Sequence, residues 1–340
     1  MRHGLDRVIA VTIAALLSTT LVLVAQGGAS VPATYHPTTN YVPPKTPWGD
    51  PDLQGIYTNK DENGVPLERP NELPAQEGLS DREFRRIVTE RLERARTAAP
   101  GIGGAAENPT GAGPAHWYET LEAQNHELWM ITDPKDGKMP PLTPEGQRRV
   151  AAIRANRGRV LNNPEDHSLY DRCITRGVVG SMLPVIYGNS YEIIQSPGQV
   201  AIRYEMIHET RVIPLDGHAH APEGVRSYMG DPRGHFDGST LVVETTNFTD
   251  RTAIGVNGNG TPNSTDLKLV ERFTPVDAST VRWEVTVTDP KIWTRPWTFA
   301  MPLKRDATQA VFEYACHEGN YAMRDMLSAV RAEEKANGKP

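Results

Sequence analysis

Six side chains in the C-terminal half carry polar atoms on the apolar side of their strands: Tyr204, His208, Asn247, Glu271, Trp283 and Tyr314. Apolar and polar residues alternate there, and the charges Arg203, Glu205, Glu244, Lys268, Arg272, Arg282 and Glu284 occupy the opposite phase, which faces water. A polar group on the inner face needs a partner from the protein, from water or from a ligand. In the catalytic reading, His208 and Glu271 serve as acid and base, and Tyr204 and Tyr314 donate hydrogen bonds to a developing oxyanion. Trp283 forms a stacking wall, and Asn247 and Arg211 join it as ligand contacts. That chemistry is a cofactor-free lyase, isomerase or hydrolase, the catalytic version of binding a small, partly apolar molecule in a barrel pocket; the alternative is a non-catalytic envelope protein that binds a partner. The bland alternative is equally concrete: Glu271 pairs with an arginine, and the Tyr and Trp donors are satisfied core groups.

Two further clusters carry weaker signals. His218 and His220, two residues apart on an extended chain, put both imidazoles on one side, which with His208 or His235 as third partner would suit Zn, Fe or Mn. The competing reading is a solvent-exposed turn after Asp216 and Gly217. His317 and Glu318 stand where the last strand candidate gives way to a helix, beside one mouth of a barrel, while Gly319 and Asn320 read as turn and helix cap. Trp293 and Trp297 flank Arg295 and could hold a guanidinium or a ligand carboxylate. No phosphate-cradling glycine loop, G-x-S-x-G elbow or C-x-x-C pair occurs in the chain.

These residues need a scaffold, and the alternation supplies one. Strands are expected near Tyr191–Gln195, Val200–His208, Thr210–Leu215, Thr240–Phe248, Leu267–Pro275, Val281–Asp289, Thr298–Arg305 and Val311–His317. Short connections make this an antiparallel meander, mainly β. A sheet of that length curls or closes to hide its edges, so the expected architecture is an up-and-down, lipocalin-like barrel or a strongly curved sheet. Arg233 to Gly238 reads as a hairpin with an Asp-Gly turn. Helices are expected in the N-terminal portion, one capped at Ser80 with Glu83 and one opening at Thr143 and Pro144, and a C-terminal helix over Tyr321 to Lys335 should pack on the sheet. The chain thus divides into residues 1–30, a lead-in and helical portion over 31–189, and the barrel over 190–340.

With 340 residues, 38% hydrophobic and a formal charge of −6, the chain can build a sizeable core, and its mild acidity argues against binding nucleic acid through phosphate neutralisation. Arg2 and Arg7 ahead of the apolar run Val8–Val24, followed by Gly27 to Ser30, form a secretory signal pattern. After cleavage no membrane span is expected, and the protein should be periplasmic or secreted, with a small molecule as its partner. Oligomeric state is not readable from the sequence. In an oxidising compartment Cys173 and Cys316 read as one disulfide; the alternative makes Cys316 a nucleophile beside His317.

The strings DPDLQGIY, YDRCITRG, SMLPVIYGNSYEIIQSPG, YEMIHETRVIPLDG, GSTLVVETTNFTD, VTDPKIWTRPWT and EYACHEGN resemble a large uncharacterised family of exported bacterial proteins, from Trp48 to the C-terminal helix. The resemblance implies export and brings no catalytic residues with it. A fold-level resemblance to lipocalin and calycin barrels rests on the closing helix and on Gly55, Ile56 and Tyr57, which sit where such barrels begin.

Overall fold

A computed structural model describes residues 41–73, 128–156 and 161–338, with shorter pieces at 33–35, 82–83, 85–87, 89–90, 119 and 123–125. The signal pattern and the Ser80 cap lie outside these residues. The alternating segments form a ten-stranded antiparallel sheet. Its strands are β1 (Gly55–Thr58), β2 (Ile131–Asp133), β3 (Ser190–Ser196), β4 (Gln199–Tyr204), β5 (Thr210–Pro214), β6 (Asp231–Asp237), β7 (Thr240–Thr246), β8 (Lys268–Pro275), β9 (Thr280–Thr288) and β10 (Trp297–Arg305). Their spatial order is β5-β4-β3-β1-β10-β9-β8-β7-β6, with β2 added to β10.

The sheet curls until its outer strands β5 and β6 meet, giving a nearly closed barrel. No backbone ladder joins those two strands. Side chains close the seam instead: a Cβ on Gly234 of β6 would lie 2.7 Å from both Ile213 Cγ2 and Leu215 Cδ2, so glycine there makes room for the apolar groups of the β5 segment. Register fixes the inner face. Ile202 sits opposite Arg211, Glu271 opposite Val285, Phe273 opposite Trp283, Trp283 opposite Met301, and Val287 opposite Trp297. All of these are buried, and each fully enclosed aliphatic or aromatic side chain contributes about 1.5–3 kcal/mol. The β6–β7 hairpin turns where expected, with Asp237 opposite Thr240 and Gly238 at φ +59.

Three described helices lie around the barrel: α1 (Pro144–Asn156), α2 (Gly177–Met182) and α3 (Ala322–Ala336). Helical residues also occur within 82–90. The Thr143 hydroxyl caps α1 by accepting the Gly146 N–H at 3.1 Å. Cys173 and Cys316 are bridged, closing a loop over a separation of 143 residues.

Two expectations about the C-terminal end are corrected. Val311–His317 is not a strand, and Phe312 is 72% exposed. The cause is topological. β1 pairs with both β3 and β10, so it fills the edge that a strand following β10 would have joined. The closing helix therefore is not delivered onto the sheet: α3 forms, but none of its residues is buried. The strand candidate Val200–His208 also ends early, at Tyr204. Glu205 N–H donates to the Ser190 carbonyl at 3.1 Å, and Ile207 and His208 then take φ +63 and +47, turning the chain back into β5.

Candidate functional site

Inside the barrel, strands β4, β5, β8 and β9 bring together Tyr204, Arg211, Glu271 and Trp283. The Arg211 Nη1 donates to Glu271 Oε2 at 2.7 Å, and the Trp283 indole N–H donates to Glu271 Oε1 at 3.1 Å. Both charged side chains are enclosed, at 2% and 0% exposure, so this ion pair carries a large desolvation cost that its own attraction must offset. Burial works to lower the Arg211 pKa, and Glu271, with Tyr204 and Glu209 adding to it, outweighs burial and leaves the guanidinium above its ordinary value. Burial raises the Tyr204 hydroxyl; Arg211 opposes that shift and Glu271 adds to it. Trp283 packs edge-on against Phe299, with ring centroids 5.4 Å apart.

The pair does not satisfy everything around it. Arg211 Nε and Nη2, which form one side of the guanidinium fork, have no partner, and neither does the Tyr204 hydroxyl. The Thr245 hydroxyl on β7 and the Trp297 indole N–H on β10 are buried and unpartnered as well. Each such group left without a partner costs roughly 1–3 kcal/mol, so the free edge of Arg211 and the Tyr204 hydroxyl beside it mark a place where acceptor atoms would be favoured.

The remaining candidates lie elsewhere. His208 is exposed rather than inward, because of the left-handed turn before β5, and its Nδ1 lies 2.7 Å from the Tyr314 carbonyl oxygen. His208 and Glu271 are thus not brought together: one faces solvent and the other is enclosed. Tyr314 is half-buried outside the barrel, and His317 and Glu318 are exposed beside it. Asn247 is buried at φ +58 and works on a loop: its Nδ2 donates to the carbonyls of Ala221, Pro222 and Val225 at 3.0, 3.1 and 3.0 Å.

His218 pairs with Asp216 at 2.9 Å and is 80% exposed, while His220 lies 3.1 Å from Asp231 and 3.4 Å from Glu244. The structure does not join His208 to them. Among the described residues no group of three or more His, Cys, Asp or Glu is arranged to hold a metal ion. Trp293 and Trp297 turn inward onto each other at 5.5 Å, and Arg295 points to solvent, so the indoles do not hold that guanidinium.

A second polar cluster gathers around Tyr314, with partners that the sequence pattern does not bring to it. Tyr170, Arg176, Tyr187 and Tyr314 meet beside the disulfide. Its only sequence signal was the cysteine pairing, which ties YDRCITRG to the Tyr314 segment. Thr245 carries no sequence signal beyond its inward phase.

No family model and no curated protein matches the chain. A solved structure described as a "secretary abundant heat soluble (SAHS) protein" from Ramazzottius varieornatus aligns with 41% of this chain and 87% of that chain at 12% identity, with a TM-score of 0.23. A likeness of that size carries no functional weight, and the barrel rests on its own strand register. No helix among the described residues is long and apolar enough to cross a membrane.

Proposed function

We propose that the protein is exported and binds a small, partly apolar molecule inside the barrel, with the molecule's oxygen atoms on the free edge of Arg211 and the Tyr204 hydroxyl. The observation that carries this reading is the group of buried, unpartnered donors around the Arg211–Glu271 pair. Because Glu271 already neutralises Arg211, an anionic head would leave a net negative charge in an enclosed site. A neutral oxygen acceptor, such as a ketone or ester, is the class that fits. The side chains enclosing the pair are mostly apolar and aromatic, and the seam between β5 and β6 would be the route in, since opening it breaks side-chain contacts and no ladder hydrogen bonds. The reading is one of binding: Glu271 is engaged with two donors, and His208, its partner in the acid–base scheme, faces solvent. Export rests on the N-terminal signal pattern together with the disulfide, which persists in a periplasmic or extracellular setting.

The test is a titration of tryptophan emission with a neutral naphthyl ketone and with its sulfonate counterpart, using Trp283→Phe to identify the responding indole. The ketone should quench saturably and the sulfonate should not. Tyr204→Phe, which removes a hydroxyl that has no partner, should stay folded and bind the ketone about tenfold more weakly, the worth of one hydrogen bond at about 1.4 kcal/mol. Equal affinity in Tyr204→Phe, or no saturable quenching, would refute the assignment.

A further inference from the structure

Arg176 is a different kind of buried arginine. It is 1% exposed, and its Nε and Nη1 have no partner. Nη2 donates to Asn257 Oδ1. The guanidinium carbon lies 5.4 Å from the centroid of the Tyr170 ring. The titratable groups that bear on it most strongly are phenols, neutral at ordinary pH: Tyr191, Tyr170, Tyr187 and Tyr314. No carboxylate stands among them, in contrast to the Glu271 facing Arg211. A cation enclosed without a counter-charge is among the costliest arrangements a fold can hold, and here burial lowers its pKa.

The surroundings are built to keep it there. A Cβ on Gly258 would lie 2.6 Å from the Arg176 carbonyl oxygen, and one on Gly180 would lie 2.3 Å from the Gly258 nitrogen. Asn257, which receives the Nη2 bond, takes φ +58. These close approaches press the 255–258 loop against the backbone of Arg176 and α2. On the other side, the disulfide fastens the stretch holding Tyr170 and Arg176 to the stretch holding Tyr314. Tyr170, Tyr187 and Tyr314 exchange hydrogen bonds through their hydroxyls, and all three are half-buried, so the cluster reaches solvent on that side.

We propose that Arg176 and the hydroxyls of Tyr170, Tyr187 and Tyr314 form a binding site for a small soluble oxyanion, a carboxylate or a phosphate, outside the barrel and beside the disulfide. The anion supplies the charge that Arg176 lacks, while the hydroxyls donate to its remaining oxygens. This site is separate from the barrel interior and takes an anion where the barrel takes a neutral acceptor.

The experiment is a titration of the full mature chain with inorganic phosphate and, separately, with acetate, in a buffer whose only other anion is chloride. It is followed by calorimetry and by tyrosine near-ultraviolet absorption. At least one of the two anions should bind saturably, perturb the tyrosine spectrum and raise Tm. Arg176→Met should weaken binding tenfold or more and, without added anion, melt at or above the parent, since it removes an unpaired buried charge. Tyr314→Phe should weaken binding several-fold. If neither anion binds saturably, or if Arg176→Met melts lower while responding to anion like the parent, Arg176 is a structural residue and the proposal fails. Should Arg176→Met not fold, Tyr187→Phe and Tyr314→Phe decide: unchanged anion affinity in both overturns the site.

Discussion

Replacing Glu271 by glutamine removes one charge from the enclosed pair and almost no volume, so its cost isolates the electrostatics of the barrel interior. Glu271 accepts from Arg211 through one oxygen and from Trp283 through the other. Glutamine has a single acceptor oxygen. Whichever way its amide is turned, an NH2 group then confronts a donor, either the Arg211 Nη1 or the indole N–H. Arg211 cannot redistribute, because its Nε and Nη2 already lack partners. Breaking a buried pair by removing one partner costs about 3–5 kcal/mol, and the donor-to-donor contact places this case at the upper end. The double variant Arg211→Met/Glu271→Gln removes the stranded cation, and replacing buried pairs by apolar groups is often neutral or stabilising. Denaturant unfolding of parent, single and double variants is the assay. A large loss in the single variant that is mostly recovered in the double is expected. If the single variant loses under about 1 kcal/mol, or the double is no better than the single, the interior is wetter than its burial implies and the cost argument for the binding site falls.

Other outcomes follow from local contacts. Asn247→Ala leaves the carbonyls of Ala221, Pro222 and Val225 without their donor and puts a Cβ-bearing residue without a local hydrogen bond at φ +58, so about 1–3 kcal/mol should be lost and the 221–225 loop should be cleaved faster by protease. The Glu209 pKa is raised by burial, against the opposing Thr175 hydrogen bond. Its folded-state preference is thus for the protonated form, a stability contribution present below the ordinary carboxylate pKa and lost as pH rises through the raised one. Glu209→Gln, which can still accept from Thr175, should therefore match the parent at about pH 4 and melt higher than it at neutral pH; a lower Tm at neutral pH would contradict the assignment. Removing both cysteines should cost about 2–5 kcal/mol for so long a loop and loosen the 314–320 segment, read by hydrogen exchange.

The alternation over Lys268–Pro275 and Thr280–Thr288 was legible because one phase carries Lys268, Arg272, Arg282 and Glu284 and the other carries only core residues and Glu271. The inner positions of Glu271 and Trp283 follow directly from that phase, and Tyr204 follows in the same way from the alternation over Gln199–Tyr204. What the pattern could not show is which edge each strand finds. Val311–His317 alternates acceptably, but β1 from far upstream already lies against β10, and nothing local in the sequence announces that pairing. His208 misled for a related reason: period two assumes an unbroken strand, and the break is set by Ile207, a β-branched residue of a type that rarely takes the positive φ it has here. Ile131–Asp133 is three residues long and too short to carry any period.

On the two assignments proposed above, the buried arginines would take different ligands: a neutral acceptor at Arg211 and an anion at Arg176. Thr175, next to Arg176, donates to Glu209, which stands two residues before Arg211. Tyr191, which bears on Arg176, packs edge-on against Tyr204 at 6.1 Å. The layer between the sites is thus an aromatic pair and one hydroxyl–carboxylate contact. Arg211 has a carboxylate and is electrically complete, so what its free edge lacks is hydrogen-bond acceptors. Arg176 has only neutral phenols around it and lacks a counter-charge. A neutral oxygen ligand relieves the first deficit and leaves the second untouched, and an anion does the reverse. If both assignments hold, occupancy of one site should leave the affinity of the other unchanged unless the Tyr191–Tyr204 contact or the Thr175–Glu209 bond shifts. Coupling between ketone and phosphate titrations, abolished by Thr175→Val, would locate that link in the hydroxyl–carboxylate contact; coupling that survives Thr175→Val would place it in the aromatic pair.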